Sequence, residues 1–390
     1  MPQEKIFICD RNFLLFTSEY PISEPAPPLE FPIIFTGAET PPNSKEIKMI
    51  FRKTCLRLLP ALAMLLLGAT VTLYAQTPKP LVVTATNAAA NQLLVYSANG
   101  VLLQTLSTEG KGGASGNAGG IEAKSGMVAA VNFGSQSVSI FEREGDGLQL
   151  AQVVSTVTSP LSVAFSKDHL YILGTTTIES HAIYGHEVSN GADGVATLLK
   201  ADGSAAQVGV LPNQLIISEK SNVIETVELS DGAITGLPTL VSNIPSNVNA
   251  PFGLVTRGDK AYVTIAHANE ISLVRHDDVL TVIGSGTQSA PCWVTLVGPF
   301  LFSSNSPSKS VSRYVVFGEK IVQDAAVAAS LNGNPTDIAS GDGYVAVIDG
   351  NGTASHLSIF TVDFEGNLKV KIANTMGAGA NGVAVVGGND

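Results

Sequence analysis

The sequence predicts an all-β fold, a ring of seven four-stranded blades, and three observations carry that reading. The first is a short strand written repeatedly. It is seen best in Gln136-Ser-Val-Ser-Ile-Phe141 and returns at Asn91–Tyr96, Glu270–Val274, Lys309–Tyr314 and Ser355–Phe360, with weaker copies at Ser180–Tyr184 and Asn222–Glu225. Its first apolar residue falls at Leu93, Val138, Ala182, Val223, Ile271, Val311 and Leu357, giving intervals of 45, 44, 41, 48, 40 and 46 residues. A repeat of that length is one propeller blade. The second observation is turn chemistry at fixed places within each repeat, and the third is the pair of incomplete ends, which complement one another.

Within a repeat, an inner strand follows a small residue paired with Pro or Gly, as at Ser159-Pro160, Ala250-Pro251, Ala290-Pro291 and Asn334-Pro335. A tight turn such as Lys124-Ser-Gly126 or Gly341-Asp-Gly343 leads into the second strand. Gly, Asn and Asp tolerate the positive φ that two-residue hairpins demand. The second strand is apolar and β-branched (127–133, 170–174, 214–218, 261–266, 300–304, 344–349), the pattern of a strand buried on both faces. The repeated Ser-Val-Ser-type strand comes third. A second Gly turn follows, and then a ragged fourth strand suited to a solvent-facing edge.

The ends decide the topology. The repeats open at Leu81-Val-Val-Thr-Ala-Thr86, a second strand with no inner strand before it, and close on Asn381-Gly-Val-Ala-Val-Val386, an inner strand with nothing after it. Pairing the two completes a seventh blade and closes the ring. The domain so defined is 81–390, behind a short linker at 76–80.

The first 75 residues fall outside the repeats. Residues 1–48 are rich in proline, show no period, and read as an extension foreign to the fold. Met49 opens a secretory signal: basic Arg52, Lys53 and Arg57, an apolar run from Leu58 to Leu73, and Ala75 before Gln76. A membrane anchor is the rival, because the run approaches spanning length. The signal reading places the product in the periplasm or outside the cell with no stable anchor.

Charge bounds the partners. The whole chain is at net −11, and so is the part after residue 75, because the first 75 residues carry seven basic and seven acidic side chains. Nucleic acid needs a basic stripe and is excluded. Of Cys9, Cys55 and Cys292, only the last follows the signal. No cysteine-rich metal site or intramolecular disulfide is then expected, and Cys292 and Trp293 read as core.

Ala261-Tyr-Val-Thr-Ile-Ala266 resembles the second strand of the YVTN-type propeller repeat, with Ile265 where that motif has Asn. Together with the Pro entries, the Ser-Val-Ser-Ile-Phe strand and the Asp146-Gly-Leu148 turn, it makes residues 80–390 similar to the lactonase-like seven-bladed propellers. That family includes relatives of 6-phosphogluconolactonase and 3-carboxymuconate cyclase. The matching motifs specify a blade; they do not identify the family's catalytic residues on this chain.

Ligands of propellers usually bind where the second-to-third and fourth-to-inner loops gather at one mouth of the channel. Those loops are rich in asparagine, and Asn132, Asn305, Asn334 and Asn351 are the expected ligand-binding residues. The amide both donates and accepts, which suits a sugar, a lactone or a peptide backbone; the alternative is that Asn sits there for its turn geometry. A lactonase needs a general base and an electrophile. His267 with Glu219 and Lys220 is the leading catalytic set, with His181 (beside Glu179) and Asp349 in reserve. No cofactor is expected, although oxygens of Glu219, Asn132, Asn305 and Asp349 would suit Ca²⁺. The glycine-rich stretch 110–120 precedes a strand, so it reads as a flexible loop and not as a phosphate cradle. The leading expectation is an exported, monomeric propeller that binds a small molecule or protein at the mouth. A lactonase or cycloisomerase-like enzyme is the alternative, and a structural envelope protein is the third reading.

Overall fold

The computed structural model describes residues 78–388, and the extension and signal segments lie outside them. The described residues form seven antiparallel sheets arranged as blades, each running from an inner to an outer strand. Blade 1 comprises Ile121–Lys124, Met127–Asn132, Ser137–Glu144 and Gly147–Ser155. Blade 2 has Pro160–Phe165, His169–Gly174 and Thr177–Tyr184, with an outer strand split into Glu187–Val188 and Gly194–Thr197. Blade 3 has Ala205–Leu211, Gln214–Glu219 and Val223–Ser230, again with a split outer strand, Ala233–Ile234 and Thr239–Val241. Blades 4, 5 and 6 begin at Pro251–Arg257, Pro291–Val297 and Asn334–Gly341.

Blade 7 is the composite. Leu81–Ala85 pairs with Asn381–Val386, Leu81 opposite Val386 and Val83 opposite Ala384, so the two ends of the chain close the ring as the sequence implied. Burial explains why each strand has its composition. The second strands Met127–Asn132 and His169–Gly174 are buried at every residue, because each sheet packs between two neighbours. The outer strand Leu102–Ser107 is largely exposed. The turn residues Ser125 and Asp342 take φ of 51° and 47°, and the glycines that follow them also have positive φ, as a two-residue hairpin requires.

Two repeats sit in a different register from the one the sequence suggested. Val138 pairs with Val131, and the corresponding pair in blade 2 is Ile178 with Leu173. The repeat marker is therefore Ile178, not Ala182. Blade 2 places Ser180 and His181 where blade 1 has Ile140 and Phe141, which hid the copy. In blade 3 the marker moves from Val223 to Ile224, opposite Ser218.

The inner strand of blade 5 packs hard against its neighbour. Phe252 meets Trp293 edge-on at 5.2 Å, and Gly253 lies so close to the Cys292 carbonyl that a Cβ there would stand 2.4 Å from it. Cys292 is wholly buried and disulfide-bonded. The expectation of a lone core thiol is therefore revised.

Candidate active site in the central channel

The mouth at which the sequence placed the site is crossed by the glycine-rich segment 110–120. The Asn87 amide and the Asn381 amide, both of blade 7, donate to Ala114 O at 2.8 and 3.1 Å. Lys220 of blade 3 donates through Nζ to Gly116 O at 2.5 Å, and Trp293 of blade 5 donates through Nε1 to Asn117 O at 3.0 Å. Asn117, itself buried, donates to Leu161 O of blade 2 at 2.7 Å, and Ala118 N bonds to Ala206 O. A segment held by blades 2, 3, 5 and 7 spans the ring axis, so it is a fixed strap and not a free loop.

Of the four residues expected to bind ligand, Asn132 instead joins one blade to the next, and Asn305 is bonded within its own blade. Asn132 and Asn305 end the second strands of blades 1 and 5 and are fully buried. Each amide donates to the second serine of its own Ser-Val-Ser strand: Asn132 to Ser139 at 2.7 Å and Asn305 to Ser312 at 2.8 Å. Asn132 Oδ1 also accepts from Thr108 and Asn91 of blade 7, at 2.7 and 3.0 Å. In both blades the serines of the repeated strand satisfy a buried amide, forming a clasp, and in blade 1 that amide also grips the preceding blade.

Other blades vary this clasp. In blade 6 the position belongs to buried Asp349, which pairs with His356 Nδ1 at 2.8 Å and accepts from the backbone of Asn332 and Gly333. Burial raises the Asp349 carboxyl above its ordinary range. Glu179 of blade 2 accepts from Val157 N at 3.0 Å, and buried His181 stands 3.4 Å from it. Glu219 of blade 3 is fully buried and accepts from Lys200 N at 3.2 Å.

Of the proposed His267, Glu219 and Lys220 set, Glu219 and Lys220 are engaged by the backbone. Glu219 is turned into the seam between blades 2 and 3, and Lys220 reaches the strap, its Nζ 5.8 Å from the centre of the Phe252 ring. His267 is exposed in the 3₁₀ turn Ala266–Ala268, with its pKa lowered by partial loss of hydration. Asn334 is exposed, and Asn351 accepts from Thr353 N, Thr353 Oγ1 and Ala354 N within its own turn. The suggested Ca²⁺ oxygens of Asn132, Glu219, Asn305 and Asp349 stand in four different blades. Among the described residues no group of three His, Cys, Asp or Glu is placed to hold a metal.

The concave site is inside the ring. A cavity of about 270 Å³ is lined by the inner strands of all seven blades, from Gly119 and Trp293 beneath the strap toward Phe165, Thr256 and Ser340 near the first-to-second-strand turns. Its two acids are Glu122 of blade 1 and Asp337 of blade 6. Asp337 accepts from Ile338 N at 2.9 Å, from Val383 N at 3.3 Å and from the backbone of Gly119, so one carboxyl ties blades 6, 7 and 1. Burial pushes its pKa up to about 7 against those three donors. Glu122 is likewise raised to about 7 by burial, opposed by the Lys124 ammonium and the Phe165 N–H. No lysine or arginine lines the cavity, while Gln207, Thr256, Thr295 and Ser340 add amide and hydroxyl groups.

The sequence reading missed Glu122 and Asp337. The signal available was one acid in each of two inner strands, Gly120-Ile-Glu-Ala123 and Pro335-Thr-Asp-Ile338, at places where the other inner strands are small, apolar or neutral.

No family model and no curated protein matches the chain. Solved structures do. A candidate 6-phosphogluconolactonase of Bacteroides uniformis superposes with a TM-score of 0.59 at 12% identity, over 79% of this chain and 100% of that one. A Bacteroides fragilis counterpart gives 0.55 at 14%, covering 80% and 99%. The periplasmic gluconolactonase of Pseudomonas aeruginosa gives 0.58 at 14%, covering 79% and 98%. The chain has the fold of the lactonase-like seven-bladed propellers. At these identities the likeness is one of fold, and it agrees with the resemblance seen in the repeat motifs.

Proposed function

We propose that this chain hydrolyses a small, uncharged lactone in the channel cavity. The observation that carries the reading is two carboxyl groups, Glu122 and Asp337, poised near neutrality in one enclosed space. A pair that is half protonated at neutral pH supplies a base and an acid together. Glu122 as carboxylate takes a proton from water while the water oxygen bonds to the lactone carbonyl carbon. The ring C–O bond then breaks, and the departing ring oxygen takes the proton of Asp337. Water and lactone become a hydroxy acid, and the proton gained by Glu122 returns to Asp337 through solvent. The absence of lysine and arginine from the cavity lining favours a neutral substrate over a phosphorylated one.

With the strap across one mouth, the substrate enters from the face of the first-to-second-strand turns. The apolar, basic-flanked stretch 49–75 and the periplasmic gluconolactonase among the structural neighbours support a site of action beyond the cytoplasm. A second reading, binding without turnover, is favoured by one observation: three backbone donors already hold Asp337.

The test is acid release from a neutral aldonolactone, followed with a pH indicator against the spontaneous rate, for the wild type and Glu122→Gln. Hydrolysis by the wild type, a loss of about 10²-fold or more in the variant, and a rate rising through pH 7 support the enzyme reading. A lactone that raises the melting temperature but is not turned over supports binding. No rate and no shift would sink both.

A further inference from the structure

Blade 3 departs from the clasp chemistry of blades 1 and 5. Where blade 1 has Asn132 and Ser139, and blade 5 has Asn305 and Ser312, blade 3 has Glu219 and Glu225, as the register of its second and third strands shows. Both glutamates are wholly buried. Both bind backbone donors of the segment that leaves blade 2: Glu225 Oε2 accepts from Leu199 N at 2.9 Å, and Glu219 Oε1 accepts from Lys200 N at 3.2 Å, with the Ala201 backbone a second donor to that carboxyl. Each has its other oxygen buried with no hydrogen-bond partner, Glu219 Oε2 and Glu225 Oε1. In the two blades where the same positions carry Asn and Ser, the side chains touch at 2.7 and 2.8 Å.

Two ionised carboxylates cannot occupy that clasp away from water without a positive charge between them. The charged groups that face them are Lys200, whose ammonium favours ionisation of Glu219, and Asp202, which opposes it. One attractive and one repulsive neighbour leave the pair uncompensated. We propose that Glu219 and Glu225 hold one proton between the two unpartnered oxygens, and that this proton keeps the seam between blades 2 and 3 closed. It replaces the N–H of Asn132 or Asn305, giving the acceptor a donor where asparagine would have supplied one. Removing it places two like charges in a dry seam, which loosens the Leu199 and Lys200 hydrogen bonds.

The raised pKa of both groups fits this geometry: Glu225 is pushed up to about 7 by burial and then by the Glu219 charge, and Glu219 is raised chiefly by burial. The sign follows from linkage. The folded chain keeps a proton that the unfolded chain gives up above the ordinary glutamate range, so stability falls as pH rises from about 4.5 toward 7. Glu122 and Asp337 contribute a slope of the same sign, so only a difference between variants isolates the pair.

The experiment counts protons released on unfolding at pH 6, from the pH slope of urea-unfolding free energy, in wild type and Glu225→Gln. The carboxamide keeps the acceptor for Leu199 and supplies a permanent donor to Glu219. The variant is expected to release about one proton fewer, and to show slower amide exchange at Leu199 and Lys200 than the wild type at pH 8. An unchanged proton count would overturn the proposal. So would a rise in wild-type melting temperature with added Ca²⁺ that Glu225→Gln lacks, since a cation would then be the bridge. If that variant does not fold, the infrared carboxyl stretch of the wild type, titrated from pH 5 to 9, decides. Glu122 and Asp337 contribute the same buried-carboxyl band to both proteins, so the wild type is expected to exceed Glu219→Gln at pH 6 by about one protonated carboxyl, and equal band areas in the two proteins would overturn the pairing.

Discussion

The indole N–H of Trp293 donates to the carbonyl of Asn117 at 3.0 Å and joins the inner strand of blade 5 to a strap that begins beside blade 7. Both residues are buried, so neither end of the bond has water to replace it. Trp293→Phe keeps an aromatic edge against Phe252 and removes the donor. It is expected to cost about 1–3 kcal/mol, the range for stranding a buried acceptor, by urea denaturation. Amide exchange across 110–120 should also quicken. A variant with wild-type stability and exchange would mean that the strap is held by its other bonds alone.

Asn132 tests whether the clasp residues are structural. Its amide has two serine acceptors, and its carbonyl oxygen two donors from blade 7. Asn132→Ala strands several of these groups at once, and a destabilisation on the order of 2–4 kcal/mol is expected. Lactone turnover measured well below the melting transition should be unchanged, because Asn132 is not part of the cavity lining. Full stability with lost turnover would restore Asn132 as a ligand-binding residue.

The contrast between Asn132 and Glu122 shows what could be read in the sequence. The blades, the turns and the closure between Leu81–Ala85 and Asn381–Val386 were legible because each repeats a short-range rule: alternation, positive φ or a strand signature. The same rule drew attention to residues next to the repeated strand, and Asn132, Asn305, Glu219 and Asp349 were taken for a site. Asn132 and Glu219 bind donors supplied by the preceding blade or the segment that leaves it, a relation between blades that no single repeat displays, while Asn305 is satisfied by serines of its own blade. The channel acids were hidden for the converse reason. Glu122 and Asp337 stand more than 200 residues apart in the chain, each the one acid of its strand, and only ring closure through blade 7 brings them to one cavity.

Glu122 also governs a stability balance that can be measured without any substrate. Its folded pKa is raised to about 7, against an ordinary value of 4.5. Folding therefore retains a proton that the unfolded chain loses. The wild type should be most stable near pH 5, weaken as pH rises toward 7, and then level off as far as this group is concerned. Glu122→Gln keeps an acceptor for the Phe165 N–H and cannot ionise. Relative to its own value at pH 5, the variant should therefore gain on the wild type by on the order of 2–3 kcal/mol at pH 8. That is less than the full shift implies, because Glu122 is partly accessible from the cavity. The measurement is a set of urea-unfolding curves at half-unit steps from pH 5 to 8.5. Parallel pH profiles for the two proteins would show that Glu122 is ionised at neutrality in the folded chain. It would then lack the raised pKa on which its role as a base poised near neutrality depends.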